Sequence, residues 1–238
     1  MKTILYYLKN PGLTEYAAQY QNHGIDELGA YITLDSTIFY PQGGGQPADQ
    51  GTMIINDQII EIHHVRTINN EVRHYTKQPY SFNYGETVFS KIDTSKRWLH
   101  TRLHTAGHLL SNIMEKIHPE WMAIKGHHFP GEAYVEFKSK QSTNAIDLEE
   151  LNQKINHIIK SAPSLDTLFI SGKELQQYCP NLPYAIPEEE QIRLIKIGDH
   201  PFQPCGGTHV SQLNELKEVQ LIKAKIKQDR LKISYHLA

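Results

Sequence analysis

The feature that most constrains the fold of this 238-residue chain is a change of hydrophobic period near residue 93. Before it lie short runs rich in Ile, Val, Tyr and Thr: Ile4 to Leu8, Ala30 to Leu34, Gly51 to Ile55, Gln58 to Val65, Glu71 to Tyr75 and Thr87 to Ile92. Asn10-Pro11-Gly12, Asn56-Asp57, Asn69-Asn70 and Asn83-Tyr84-Gly85 separate them with turn chemistry. Several short strands at close spacing predict a small barrel or curled sheet. After the change, one stretch from Arg97 to Ile117 carries Trp98, Leu99, Leu103, Ala106, Leu109, Leu110, Ile113, Met114 and Ile117 at helical spacing. Asp93-Thr94-Ser95 supplies N-cap oxygens and His118-Pro119 ends the helix. Further on, Ala133 to Phe137 alternates like a strand. Asp147 to Lys160 forms an amphipathic helix with Leu148, Leu151, Ile155, Ile158 and Ile159 on one face. Leu168 to Ser171 and Ile192 to Ile197 read as strands, Lys173 to Tyr178 as a short helix, and Val219 to Leu237 as two strands joined at Gln228-Asp229. The expected fold class is α+β: a small barrel-like β module over residues 1–92, then an α+β module over 93–238.

No stretch approaches the roughly 20 apolar residues that span a bilayer, so no membrane is expected as a partner. The apolar run that opens the chain is too short for a secretory leader. Two cysteines, Cys179 and Cys205, fit a reducing, cytoplasmic setting better than a disulfide scaffold. A net charge of -2 lacks the basic excess of a dedicated duplex binder, so any nucleic-acid contact must come from a local cluster. One such cluster is near the end of the chain. Lys223, Lys225 and Lys227 alternate, so a strand there shows all three on one face, with Arg230 and Lys232 close behind. Arg97, and less strongly Arg102, are further candidates for phosphate contact on the long helix.

Histidine is abundant, at 14 residues, and its spacing is informative. In His104-Thr105-Ala106-Gly107-His108 two imidazoles sit four apart on the long helix, one turn apart on one face, where both can reach one ion. About a hundred residues later, Pro204-Cys205-Gly206-Gly207-Thr208-His209 places a thiol and an imidazole four apart in a loop that two glycines make tight. His104, His108, Cys205 and His209 together are a plausible tetrahedral set for one Zn2+ per chain. Thr105 stands where a zincin requires Glu, which excludes that mechanism. A closed structural site and a catalytic site with an open position both remain.

These two motifs, extended as His104-Thr105-Ala106-Gly107-His108-Leu109-Leu110 and Cys205-Gly206-Gly207-Thr208-His209-Val210, resemble the editing domain of alanyl-tRNA synthetase and its stand-alone relatives, the AlaX family. The segment from Thr37 to Gly51, with Gly43-Gly44-Gly45-Gln46-Pro47, resembles the glycine-rich part of the family's N-terminal β module. Order and spacing agree across nearly the whole chain, and its length suits the medium-length form. The resemblance implies an aminoacyl-tRNA hydrolase acting on mischarged tRNA(Ala), with Ser-tRNA(Ala) first and Gly-tRNA(Ala) second. A synthetase pocket discriminates such close analogues by only about 1–3 kcal/mol, so a second hydrolytic sieve is needed. It also implies zinc that activates water or holds the substrate amino group, Thr105 reading the serine hydroxyl and Gln46 reaching the site; the sequence itself is compatible with a monomer and does not fix the oligomeric state. One position departs from the family pattern. In Ala123-Ile124-Lys125-Gly126-His127-His128-Phe129, Ile124 stands where the synthetase domain has Gln, and His127, or its neighbour His128, is the candidate replacement. Competing readings are editing of Ser-tRNA(Thr), a non-catalytic tRNA-binding zinc module, and a zinc hydrolase of small esters.

Overall fold

The computed structural model describes residues 2–139, 146–180, 182 and 191–238. The chain forms two compact units, Met1–Leu99 and His100–Ala238. The division falls inside the long helix rather than between Ile92 and Asp93, where the change of period places it.

The first unit contains β1 (Ile4–Leu5), the one-turn α1 (Tyr6–Lys9), β2 (Glu15–Asp26), β3 (Gly29–Leu34), β4 (Ser36–Thr37), β5 (Gly51–Ile55), β6 (Gln58–Ile68), β7 (Glu71–Thr76) and β8 (Thr87–Ile92). Six of these close into a barrel in the order β2-β3-β7-β6-β5-β8, each pairing antiparallel. Closure leaves the barrel no open edge. Strict alternation fills it: Val88, Ser90 and Ile92 of β8 turn inward, to a core that includes Ile32, Met53, Ile60, Val65 and Val72. The hairpins β5–β6 and β6–β7 turn on Asn56-Asp57 and Asn69-Asn70, all four with positive φ, the left-handed pair that two-residue hairpins favour.

In this unit the first run and the second strand differ from the sequence reading. Only Ile4 and Leu5 of the first run are extended, pairing parallel with β4; the chain then coils into α1. The longest barrel strand, β2, is missing from the sequence reading altogether. Only its Ala18 and Tyr20 are buried, and polar residues occupy most of its other positions, so composition conceals its alternation.

The second unit takes in most of α2 (Thr94–Ile117), followed by β9 (Trp121–His127), β10 (Tyr134–Ser139), α3 (Leu148–Lys160), β11 (Leu165–Ile170), α4 (Leu175–Tyr178), β12 (Ile192–Ile197), β13 (Gln203–Pro204), β14 (Val219–Lys227) and β15 (Arg230–Leu237). A four-stranded sheet runs β14-β15-β10-β9 and a three-stranded one β11-β12-β13. One apolar core joins α2 (Leu103, Leu109, Leu110, Met114), α3 (Leu151, Ile155) and the larger sheet (Val135, Phe137, Leu231, Ile233). Asp147 caps α3, its Oδ1 accepting from the amides of Glu149 and Glu150. Asn152 and Asn156 of α3 bond the backbone of β14 at Leu221 and Val219, which covers that stretch of the sheet edge. Among the described residues no helix is long and apolar enough to cross a membrane.

Candidate metal centre

Two elements bring the ligand-type residues together. Helix α2 carries His104 and His108 one turn apart. The loop after β13 carries Cys205 and His209, and is anchored where Cys205 N–H bonds the Arg193 carbonyl of β12 at 3.0 Å. The Arg193 guanidinium then donates to Gly207 O at 2.6 Å, Thr208 shares a hydrogen bond with Thr101 of α2 at 2.6 Å, and Gly207 N–H points at Cys205 Sγ, 3.3 Å away.

The donor atoms of His104, His108, Cys205 and His209 all lie within 4.8 Å of one another. His104 Nε2 is 3.2 Å from His108 Nε2 and 3.6 Å from Cys205 Sγ, and His209 Nε2 is 3.2 Å from the same sulfur. A tetrahedral zinc with ordinary bond lengths has N···N edges of roughly 3.3 Å and N···S edges of roughly 3.6 Å. The spacing and the donor chemistry therefore fit a metal ion held by three imidazoles and a thiolate.

Neighbouring side chains fix which ring nitrogen is presented. Gln203 Oε1 accepts from His108 Nδ1 at 2.6 Å and the same amide donates to Asn112 at 2.7 Å, which leaves His108 Nε2 for the ion. Thr105 does the same for His209. Its hydroxyl gives its one proton to Thr101 O at 2.9 Å, and accepts from His209 Nδ1 at 3.1 Å and from Val210 N–H at 3.3 Å. With one donor and two acceptor positions all engaged, Thr105 has no capacity left to read a substrate hydroxyl. Its hydroxyl is placed to orient the His209 ring.

The electrostatics suit a thiolate. Burial opposes charge on Cys205, but the imidazoles of His104, His209 and His108 outweigh it and hold the thiol well below its ordinary range. Burial pushes His209 down to about 3 and also lowers His104, so both favour the neutral, metal-binding form. In His108 the Cys205 charge and the Gln203 hydrogen bond overcome burial and raise its pKa.

Of the tandem histidines it is His128, not His127, that reaches the cluster. His127 ends β9 on the outer side, 3.4 Å from Glu132 and stacked against Phe129 and Tyr134. His128 turns inward and stacks on His104, centroids 4.7 Å apart. Tyr235 gives its hydroxyl proton to Leu103 O at 2.9 Å, so the 2.6 Å contact with His128 runs from ring Nδ1–H to the tyrosine oxygen. His128 Nε2 is thereby kept as an acceptor, and burial, with the neighbouring imidazoles, holds the ring neutral. Two glycines make room for it. A Cβ on Gly107 would lie 2.2 Å from His128 Cε1, and one on Gly126 2.4 Å from Nε2. The glycine of the Lys125-Gly126-His127-His128 run, close before a tandem histidine, is the sequence signal for this pocket.

The remaining candidates are placed elsewhere. Gln46 belongs to the first unit, buried in the glycine-rich loop with its backbone bridged to Gly43. Arg97, the candidate phosphate contact, is also in that unit. Its guanidinium is buried, pairs with the fully buried Asp49, and donates to Ile38 O at 2.7 Å and Pro11 O at 2.9 Å. Arg102 is committed to Leu216 O at 2.6 Å. Lys223, Lys225, Lys227 and Arg230 are exposed on β14 and β15. Cys179 is free and donates to Phe202 O at 3.2 Å within a small apolar cluster.

Residues 12–96 match the family model of class II (A) tRNA synthetases, and residues 192–232, which include Cys205 and His209, match that of the threonyl and alanyl tRNA synthetase second additional domain. The chain is 28% identical to the alanyl-tRNA editing protein AlaX-M of Methanosarcina barkeri, over 83% of this chain and 84% of that protein. It is 29% identical to the alanyl-tRNA editing protein AlaX-L of Pyrococcus horikoshii, over 91% of this chain and 53% of that protein. The match to the alanine–tRNA ligase of Metallosphaera sedula is 25% identical over 90% of this chain, which spans only 24% of the ligase. Both ends of the sequence thus match tRNA synthetase family models, and the chain as a whole is similar to alanyl-tRNA editing proteins and to a segment of alanine–tRNA ligases.

Proposed function

We propose that the chain is a trans-editing hydrolase that removes a wrongly attached amino acid, serine first and glycine second, from tRNA(Ala). The observation that carries this reading is the convergence of His104, His108, Cys205 and His209, in a chain related to proteins named for alanyl-tRNA editing. We take the ion to be Zn2+, which favours imidazole and thiolate donors in a tetrahedron. When bound, zinc supplies Lewis acidity toward an ester carbonyl, its attacking water or the substrate amino group.

The chain's own residues supply the rest. Gln203 and Thr105 hold the rings of His108 and His209 so that Nε2 faces the cluster. His128, fixed by Tyr235, offers a neutral acceptor beside His104, suited to a hydrogen bond from the substrate ammonium or from water. Gln46 is retained as a candidate on the family resemblance, tested by Gln46→Ala with metal content as the control.

The test is deacylation of seryl-, glycyl- and alanyl-tRNA(Ala) alongside seryl-tRNA(Thr). The proposal expects loss of serine from tRNA(Ala), with alanine and the threonine tRNA spared. Preference for seryl-tRNA(Thr) would shift the substrate. Zinc-loaded protein inactive on all four would reduce the centre to a fold-holding site in a non-catalytic module.

A further inference from the structure

The four-stranded sheet has one face on the core and one turned outward, and register shows what the outer face presents. The first row across β14, β15, β10 and β9 is Lys223, Ser234, Tyr134 and His127. The next row is Lys225, Lys232, Glu136 and Lys125. The third is Lys227, Arg230, Lys138 and Met122. Seven of these twelve positions are lysine or arginine and one is acidic, on a chain whose net charge is -2. All seven cations are exposed.

Aromatic rings lie among them. Phe129, His127 and Tyr134 form a stack, with centroids 4.4 Å and 5.0 Å apart. Lys232 Nζ sits 3.4 Å from the centroid of Tyr134, and Lys125 Nζ 5.9 Å from it. Cations beside a ring stack are the two elements by which proteins hold single-stranded nucleic acid: backbone phosphates on the charges, bases on the rings. The stack is also next in sequence to the metal centre, since His127 faces outward and the following residue, His128, stacks on His104.

We infer that this outer sheet face is an RNA-docking surface, which takes the phosphates of an acceptor end on its lysine rows and adds an unpaired nucleotide base to the Phe129–His127–Tyr134 stack. The inference rests on the proposed editing function and extends it, because Lys125, Lys138 and the rings join the C-terminal basic cluster in one surface. Charge complementarity and the ring stack name the occupant: a polyanion with unpaired bases.

The experiment measures binding of an uncharged acceptor-stem hairpin, with and without a single-stranded 3′ overhang, by fluorescence anisotropy across a salt series. Wild type is compared with the Lys223→Glu, Lys225→Glu, Lys227→Glu triple variant and with Tyr134→Ala; melting temperature and bound metal serve as folding controls. The triple variant is expected to bind at least about tenfold more weakly, with a salt slope shallower by roughly 0.7 to 0.9 for each phosphate it no longer neutralises. Tyr134→Ala is expected to lose about tenfold for the overhang RNA and little for the blunt one, in line with one stacked base. Unchanged affinity in the triple variant, or no binding by wild type at low salt, overturns the inference. Equal binding to anionic phospholipid vesicles, with no gain from the overhang, overturns it in favour of a lipid surface. Deacylation of seryl-tRNA(Ala) measured in parallel separates the cases, because a wild type that still edits preserves the proposed function while the docking face fails.

Discussion

At the residue scale, the centre depends on side chains that touch its ligands as much as on the ligands. Thr105→Val removes the acceptor that holds His209 Nδ1 and is expected to weaken metal binding about 10- to 100-fold, whereas Thr105→Ser, which keeps the hydroxyl, retains affinity. Competition with a metal chelator of known affinity reads the difference, and equal affinities would show that His209 needs no such support. A second titrating residue sits inside the barrel. His74 is wholly buried, bonded to Thr37 Oγ1 at 2.8 Å, and burial pushes its pKa down to about 4 from an ordinary 6.5. The unfolded chain binds a proton below 6.5 that the folded chain refuses until about 4. Its stabilising contribution is therefore full above pH 6.5 and is lost as pH falls through that window, about 3 kcal/mol in all. Unfolding free energies from pH 7 to 4 should fall less steeply in His74→Asn than in wild type, and parallel curves would contradict this. The four metal-type residues were legible in the sequence because helical period fixes what lies four positions apart, and two glycines flag a tight loop. The duties of Thr105 and His128 were not. They depend on which side chain, from a segment about a hundred residues away in sequence, supplies the hydrogen-bond partner.

At the scale of elements, α2 is tied at its start by a buried ion pair. Replacing Arg97 with Met would leave Asp49 buried without its partner, and a loss of about 3–5 kcal/mol is expected in denaturant unfolding. A change within a few tenths of a kcal/mol would mean that the pair is dispensable. Further along the same helix, Gly107→Ala puts a methyl 2.2 Å from the His128 ring and 2.8 Å from the Tyr235 hydroxyl. Overpacking there is expected to lower stability by about 1–3 kcal/mol, and to displace His128 from His104. A lowered melting temperature together with changed histidine ring resonances would report it. Both helices, α2 and α3, were legible from period and caps. Strands β2 and β9 were not, since polar outward residues and a glycine near the end of β9 blur alternation that only their neighbours in the barrel and sheet restore.

For the whole molecule, two compact units divide the work of the sequence: a closed barrel that carries the glycine-rich loop, and an α+β unit that gathers the metal-type residues beneath a cationic sheet. A modest net charge conceals that face, because composition averages over surfaces that the fold keeps apart. The α+β class and the barrel were readable from the change of period, whereas the outer sheet face required the register of four strands. The central claim is that the three imidazoles and the Cys205 thiolate hold a zinc ion on which editing depends. The most direct test pairs bound zinc with the rate of serine release from seryl-tRNA(Ala), in wild type and in Cys205→Ala. About one zinc per chain with rapid release in wild type, and loss of both in the variant, is the predicted result. A variant that releases serine at the wild-type rate without zinc would contradict it.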